Sequence, residues 1–261
     1  MEIRILHKDT EKATFVIEGV DAAFVNALRR AFISEIPTFA VDYVIFYTNT
    51  SPLYDEIIAH RLAMVPLTTE TTRYIPAEEC CEDGCEKCSV TLSISKEGPG
   101  MVVSGDMISE DSDVVPAYDN IPIVKLGPNQ KLVLNAIARI GYAKDHVKYQ
   151  SALGSYQHVA SITVDKDICD LGGACVDICP RNVLDILDNE LVPKYLYSCN
   201  LCRACADICD FDAIVIEPVK DSFIFKLESF GSIPLETLVE EVVKVFTKKA
   251  DELIEKAESL E

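Results

Sequence analysis

The organisation of this chain turns on DAAFVNALRRAFISEIP, residues 21–37. Phe24, Ala27, Leu28, Ala31 and Phe32 recur at i, i+3, i+4, i+7 and i+8, a single apolar stripe at helical period. Asp21 stands where an N-cap is needed after Gly19, and Pro37 stops the segment because its ring cannot continue a helix. Asn26, Arg29 and Arg30 fall off the stripe, so two adjacent cations face another way. Periodicity alone admits the plain reading, an amphipathic helix lying on a sheet.

Before that helix, residues 1–18 alternate through Ile3 and Ile5, then Ala13, Phe15 and Ile17, around the turn-like Lys8-Asp9-Thr10, and read as a strand pair. After it, AVDYVIFY (residues 40–47) has the β-branched and aromatic content of a buried strand. Residues 51–63 suggest a second helix with Leu53, Ile57 and Leu62 apolar. From about residue 68 to 160, short strands are separated by Pro, Gly and Asp clusters, and residues 130–140 alternate at period two. Strand alternation returns at residues 219–228 through Phe223, Phe225 and Leu227. Ser232 then opens a long helix to about residue 260, with Leu235, Val239, Val242, Phe246, Ala250 and Leu253 at steps of three and four. Such a stripe needs a partner, in its own domain or in another chain.

With 261 residues the chain can hold one large domain or two to three small ones. A formal charge of −19 argues against direct nucleic-acid binding, which needs clustered Lys and Arg. No window has the roughly 18 apolar residues of a membrane span, and the first residues, MEIRILHKDTEK, lack the apolar core of a signal peptide. A cytoplasmic location is the expectation.

Eleven cysteines without a secretion signal read as ligands rather than as a disulfide framework. Cys199, Cys202, Cys205 and Cys209 form C-x2-C-x2-C-x3-C, the bacterial-ferredoxin run for a [4Fe-4S] cluster. Upstream, Cys169, Cys175 and Cys179-Pro180 repeat the run with Gly172 where its second cysteine belongs, and VDICP against ADICD marks the two as one duplicated unit. In two-cluster ferredoxins the fourth cysteine of each run serves the other cluster. By that resemblance Cys179, Cys199, Cys202 and Cys205 make a complete [4Fe-4S] set, and Cys169, Cys175 and Cys209 an incomplete one. Three thiolates suit a [3Fe-4S] cluster, or a [4Fe-4S] cluster whose fourth iron takes water or a carboxylate such as Asp170; an empty site is the other reading. Cys80, Cys81, Cys85 and Cys88 crowd into nine residues, a candidate zinc loop, although adjacent cysteines rarely point at one metal. Free thiols or a disulfide are the alternatives there. His60 and His146 lack catalytic partners and read as structural or interface histidines. Gly98-Pro99-Gly100 and Gly172-Gly173 are turns, lacking the Lys and spacing of a phosphate loop.

Much of the wording of the chain resembles one family. FVNALRRAFISEIPTFAVDYV, SPLYDEIIAHRLAMVPL, IPIVKLGPNQKLVLNAIARIGYAKDHVKY and ESFGSIPLETLV are similar to the assembly subunits of multisubunit RNA polymerases. That family comprises the archaeal D subunits, the third-largest subunit of eukaryotic polymerase II and the amino-terminal domain of bacterial α, with the archaeal form the nearest. The resemblance implies an α+β fold with a discontinuous dimerisation domain at residues 1–48 and 219–261. It places between them a β-rich insert at 49–160 and a ferredoxin-like domain at 161–218. It further implies a non-catalytic scaffold that pairs with the small L subunit, joins the N and P subunits and carries the large catalytic subunits. Phe24, Leu28, Phe32, Leu235, Val239, Val242 and Phe246 become candidate dimer contacts, and Asn26, Arg29 and Arg30 candidate contacts to the large subunits. Archaeal D subunits vary in how many ferredoxin cysteines they keep, and the eukaryotic relative has a zinc loop where residues 80–88 stand, with different cysteine spacing. A ferredoxin-type electron-transfer subunit of an oxidoreductase is the rival reading, drawn from residues 165–215 alone.

Overall fold

The computed structural model describes residues 1–70, 73–75, 80 and 88–259. They fall into two compact units, one of residues 1–8, 13–27 and 155–226, the other of residues 9–12, 28–154 and 227–261.

In the first unit, strands β1 (Glu2–Lys8) and β2 (Lys12–Glu18) pair antiparallel in a register running from Glu2 opposite Glu18 to Lys8 opposite Ala13. The turn forms where the sequence places it because the Asp9 carboxylate accepts the backbone N–H groups of Glu11 and Lys12, at 3.1 and 2.8 Å. Helix α1 (Ala22–Ser34) starts at the expected cap: Asp21 Oδ1 accepts the Phe24 N–H at 2.8 Å. Val16, Val159 and Ile224 form a small buried group, and Phe15 stacks on Phe225 with centroids 5.2 Å apart.

The second unit is built on a larger sheet. Strand β3 (Thr38–Asn49) is followed by helix α2 (Asp55–Ala63), strands β4 (Ser89–Glu97), β5 (Gly100–Val103), β6 (Ile108–Ser109) and β7 (Pro122–Leu126), and the long β8 (Lys131–Gly141). The order is β3-β8-β4-β6, with β5 and β7 as a separate pair. Strand β8 is central because its alternation is apolar enough to be covered: Leu132, Leu134, Ala136, Ala138 and Ile140 are all buried. Gly141 closes it where the Tyr149 ring passes 2.7 Å from the position a Cβ would take. Helix α2 begins later than the apolar pattern suggests and turns Ile58 and Leu62 inward, leaving Ile57 exposed.

Two strands lie elsewhere than the sequence division puts them. β3 pairs with β8, Thr38 opposite Gly141 through Asn49 opposite Leu132, and so belongs to the sheet of the chain's middle. Strand β9 (Ala152–Val164), expected within the insert, joins the terminal sheet, whose order is β1-β2-β12-β9 with β12 spanning Ile214–Ser229. Between β9 and β12 lie helix α3 (Ala174–Asp177), strands β10 (Leu184–Leu187) and β11 (Glu190–Pro193), and helix α4 (Ala204–Asp207). The chain ends in helix α5 (Leu235–Glu258). Its N-cap is Pro234; Ser232 is buried just before it and does not cap it.

Candidate functional site

The duplicated cysteine run folds as a duplicated structure. In each half a loop with two left-handed residues leads into one helical turn: Leu171 and Gly173 at φ 58° and 79°, Leu201 and Arg203 at φ 59° and 64°. Helix α3 follows the first loop and α4 the second. Each run then closes the same way. Val183 N–H donates to Cys179 Sγ and Ala213 N–H to Cys209 Sγ, both at 3.3 Å.

The halves exchange their last cysteines. Cys179 packs with Cys199 beside Ala160 and Val183, while Cys169, Cys175 and Cys209 share a cluster with Cys205 around Leu184, Leu191 and Ile214. Burial pushes the Cys205 thiol up, and Cys179, Cys199 and Cys202 add to that shift against its own backbone N–H, which pulls it down. Burial likewise pushes Cys175 up, with Cys169 and Cys209 as its charged neighbours. Cys205 thus has Cys179, Cys199 and Cys202 as near neighbours and Cys175 has Cys169 and Cys209, a grouping of four and three within one packed region. The group of three borders a cavity of ≈ 70 Å³ that Asp170, Gly172, Ile208 and Phe211 also line. Among the described residues no three His, Cys, Asp or Glu side chains converge on a single ion. Thiols disposed around a space, as Cys169, Cys175 and Cys209 are, suit a cluster that offers one iron per thiolate.

In the loop at residues 80–88, Cys80 and Cys88 are joined by a disulfide with their Cα atoms 6.4 Å apart. That bond takes two of the four thiols on which the zinc reading depends. Cys81 and Cys85 lie outside the described residues. His146 has a structural part: its Nδ1 accepts the Lys148 N–H at 3.1 Å. His60 sits exposed in the last turn of α2 beside Arg61, where positive charge suits the helix end, and the Arg61 guanidinium donates to the Ile123 carbonyl at 2.7 Å.

The two candidate assembly helices divide their apolar residues between core and surface. On α1, Val25, Ala31 and Phe32 are buried, Phe24 and Ala27 are exposed and Leu28 is half-buried. The buried face is thus turned towards Val25, which the stripe omitted. On α5, Leu235, Leu238, Glu241 and Val242 are buried. Beyond them Val243, Leu253 and Ile254 are 59%, 69% and 55% exposed, so the second half of the helix carries an uncovered apolar row. Of the residues expected at a dimer interface, Phe32, Leu235 and Val242 fill the protein's own core, while Val239 is exposed and Phe246 half-buried. Arg30 is exposed; Asn26 and Arg29 are half-buried. Lys249 of α5 donates to the Glu35 carboxylate at 2.6 Å.

No helix among the described residues is long and apolar enough to cross a membrane. Residues 44–166 match the family model of the RNA polymerase Rpb3/RpoA insert domain, and residues 162–185 that of the 4Fe-4S binding domain. The second match covers the degenerate half of the repeat, Gly172 included. The chain is 42% identical to the DNA-directed RNA polymerase subunit Rpo3 of Thermococcus kodakarensis over 264 residues, covering 100% of this chain and 99% of that one. It is 42% and 40% identical to the Rpo3 subunits of Methanosarcina mazei and Methanosarcina acetivorans, over 97% of each chain. An electron carrier would account for the cysteine repeat but not for this end-to-end likeness. The sheets, the two cysteine groups and the relatives lead to one assignment: the chain belongs to the archaeal Rpo3 family, the D-type subunits of DNA-directed RNA polymerase.

Proposed function

We propose that the protein is a non-catalytic assembly subunit of DNA-directed RNA polymerase. The observation that carries this reading is similarity to polymerase subunits from one end of the chain to the other. Phosphodiester chemistry then belongs to other chains, and a net charge of −19 suits a subunit standing away from the nucleic acid. The exposed residues Val239, Val243, Leu253 and Ile254, with half-buried Phe246, supply one apolar face for the small L subunit; Phe24 and half-buried Leu28 are the contacts offered by α1. The N and P subunits and the large catalytic subunits follow on that heterodimer, with Asn26, Arg29 and Arg30 as their contacts.

Cys179, Cys199, Cys202 and Cys205 hold one [4Fe-4S] cluster in this reading, and Cys169, Cys175 and Cys209 a second. The clusters' contribution is structural, since thiolate–iron bonds supply folding energy where little apolar surface is buried. In the loop at 80–88, zinc and the disulfide are alternative states, and reduction of Cys80 and Cys88 is the condition for metal.

Anaerobic co-expression with an L subunit tests the assembly reading. The expected result is a one-to-one, iron-containing complex on size exclusion, lost in the double variant Val243→Asp, Leu253→Asp without loss of iron. A wild-type chain that stays alone, or a variant that pairs as well as wild type, sinks the proposed interface.

A further inference from the structure

We infer that the Asp170 carboxylate is the fourth protein ligand of a four-iron cluster at Cys169, Cys175 and Cys209. The inference rests on the second-cluster reading just given. Its warrant is a comparison the protein makes with itself. Cys199-Asn200-Leu201-Cys202 and Cys169-Asp170-Leu171-Gly172 occupy equivalent loops, with Leu201 and Leu171 at φ 59° and 58°. In the complete half, the Asn200 side-chain oxygen accepts the Cys202 N–H at 3.3 Å, and Cys202 supplies the thiolate. In the other half, the Asp170 Oδ1 accepts the Gly172 N–H at 3.0 Å, and residue 172 supplies nothing.

The two differences compensate. A neutral amide followed by a thiolate has become a carboxylate followed by no side chain, so each group retains four anionic donors. Position compensates as well as charge. A Cβ built on Gly172 would lie 3.0 Å from Asp170 Oδ2 and 3.2 Å from Oδ1, so the carboxylate stands against the position from which a cysteine side chain at 172 would start. Asp170 and the three cysteines line the same cavity, and no Lys or Arg lines it with them. With Oδ1 engaged by the backbone, Oδ2 is left as the donor. An oxygen donor is harder than a thiolate but remains within the ligand range of iron. The other carboxylate at the cavity, Asp210, follows Cys209 as Pro180 follows Cys179, and so does not stand at the vacated ligand position.

The test loads the full chain anaerobically with iron and sulfide and reads three quantities: iron per chain, the EPR signal peculiar to an oxidised three-iron cluster, and the Mössbauer spectrum. Wild type is expected to hold about eight irons without the three-iron signal. Asp170→Asn keeps the acceptor for Gly172 N–H but loses the anion, and should drop by about one iron and gain the signal. The double variant Asp170→Asn, Gly172→Cys rebuilds the Asn-Leu-Cys sequence of the other loop and should recover wild-type iron. Asp210→Asn should change nothing. Independently of any variant, the wild-type Mössbauer spectrum should resolve one iron per chain with the more ionic character that oxygen ligation gives. Wild type with about seven irons and the three-iron signal overturns the role of Asp170 while leaving the second cluster standing. Wild type with about four irons removes the second cluster and this inference with it. An Asp170→Asn variant that keeps all its iron without the signal, or a wild-type Mössbauer spectrum lacking the distinct iron, assigns the fourth site to another ligand and also overturns the proposal.

Discussion

The sheet of the middle of the chain and the duplicated cysteine region sit in one polypeptide but are held together by different means. The β3-β8-β4-β6 sheet, with α2 and the β5–β7 pair, surrounds one apolar cluster of twenty-one buried residues, from Phe39 to Ile140. Between residues 165 and 213 only Val183, Leu184, Leu191, Cys199, Cys205 and Ala213 are buried, and two of those are candidate iron ligands. At roughly 1.5–3 kcal/mol for each large side chain buried, the first region can meet its chain entropy by packing and the second cannot. Apolar burial specifies one region, and in the proposed reading ligation specifies the other.

The largest effect that would break this contrast is removal of iron. Chelation under anaerobic conditions should release amides 165–213 to rapid hydrogen exchange while those of β8 keep their protection; equal protection before and after would show that the cysteine loops stand on packing alone. Next comes a deletion in the apolar core. Leu134→Ala, at a fully buried site, should cost about 2–5 kcal/mol by denaturant titration and leave iron content untouched. A coupled loss of iron would mean that the two regions fold as one. Smaller, at about 1 kcal/mol, is Asp21→Ala, which leaves the Phe24 N–H without its acceptor and should lower stability with no change in iron.

The least effect concerns acid. The carboxyl of Asp106 loses ground to burial, but bonds from Lys96 and the Val103 N–H outweigh that and hold it below its ordinary value of 3.8. A carboxylate so lowered stabilises the fold fully above that value, and the benefit fades as pH falls below it through the lowered pKa. Asp106→Asn should therefore cost under about 1 kcal/mol at neutral pH, because the pair is partly exposed, and nothing in strong acid. Urea titrations at both pH values would show whether the gap closes.

Local chemistry was legible in the sequence. Asp21 as cap, Asp9 in the turn and the alternation of β8 all read correctly because each depends on residues a few positions apart. Pairings between distant strands did not, since the β-branched and aromatic content of residues 40–47 says that the strand is covered but not by what; β3 took β8 as its neighbour. Helix faces failed in a similar way. On α1 both Phe24 and Val25 are apolar, and only the surface beneath decides which of them turns inward. On α5 the stripe is continuous, but the core ends after Val242. The sequence named Asp170 as one of several candidate donors, whereas its close approach to the Cβ position of Gly172 depends on a left-handed Leu171 that no periodicity reports.

The crossing of Cys179 and Cys209 into each other's groups has a consequence for how this region can change. Two tandem copies of a module are ordinarily separable, and either can be trimmed or lost while the other carries on. In the proposed ligation each copy would lend its last cysteine to its twin, so excising one loop would leave the survivor a ligand short as well. In that reading, loss of Cys179 or Cys209 would strip a ligand from the cluster of the other copy, whereas loss of Cys169 or Cys175 would touch one cluster alone.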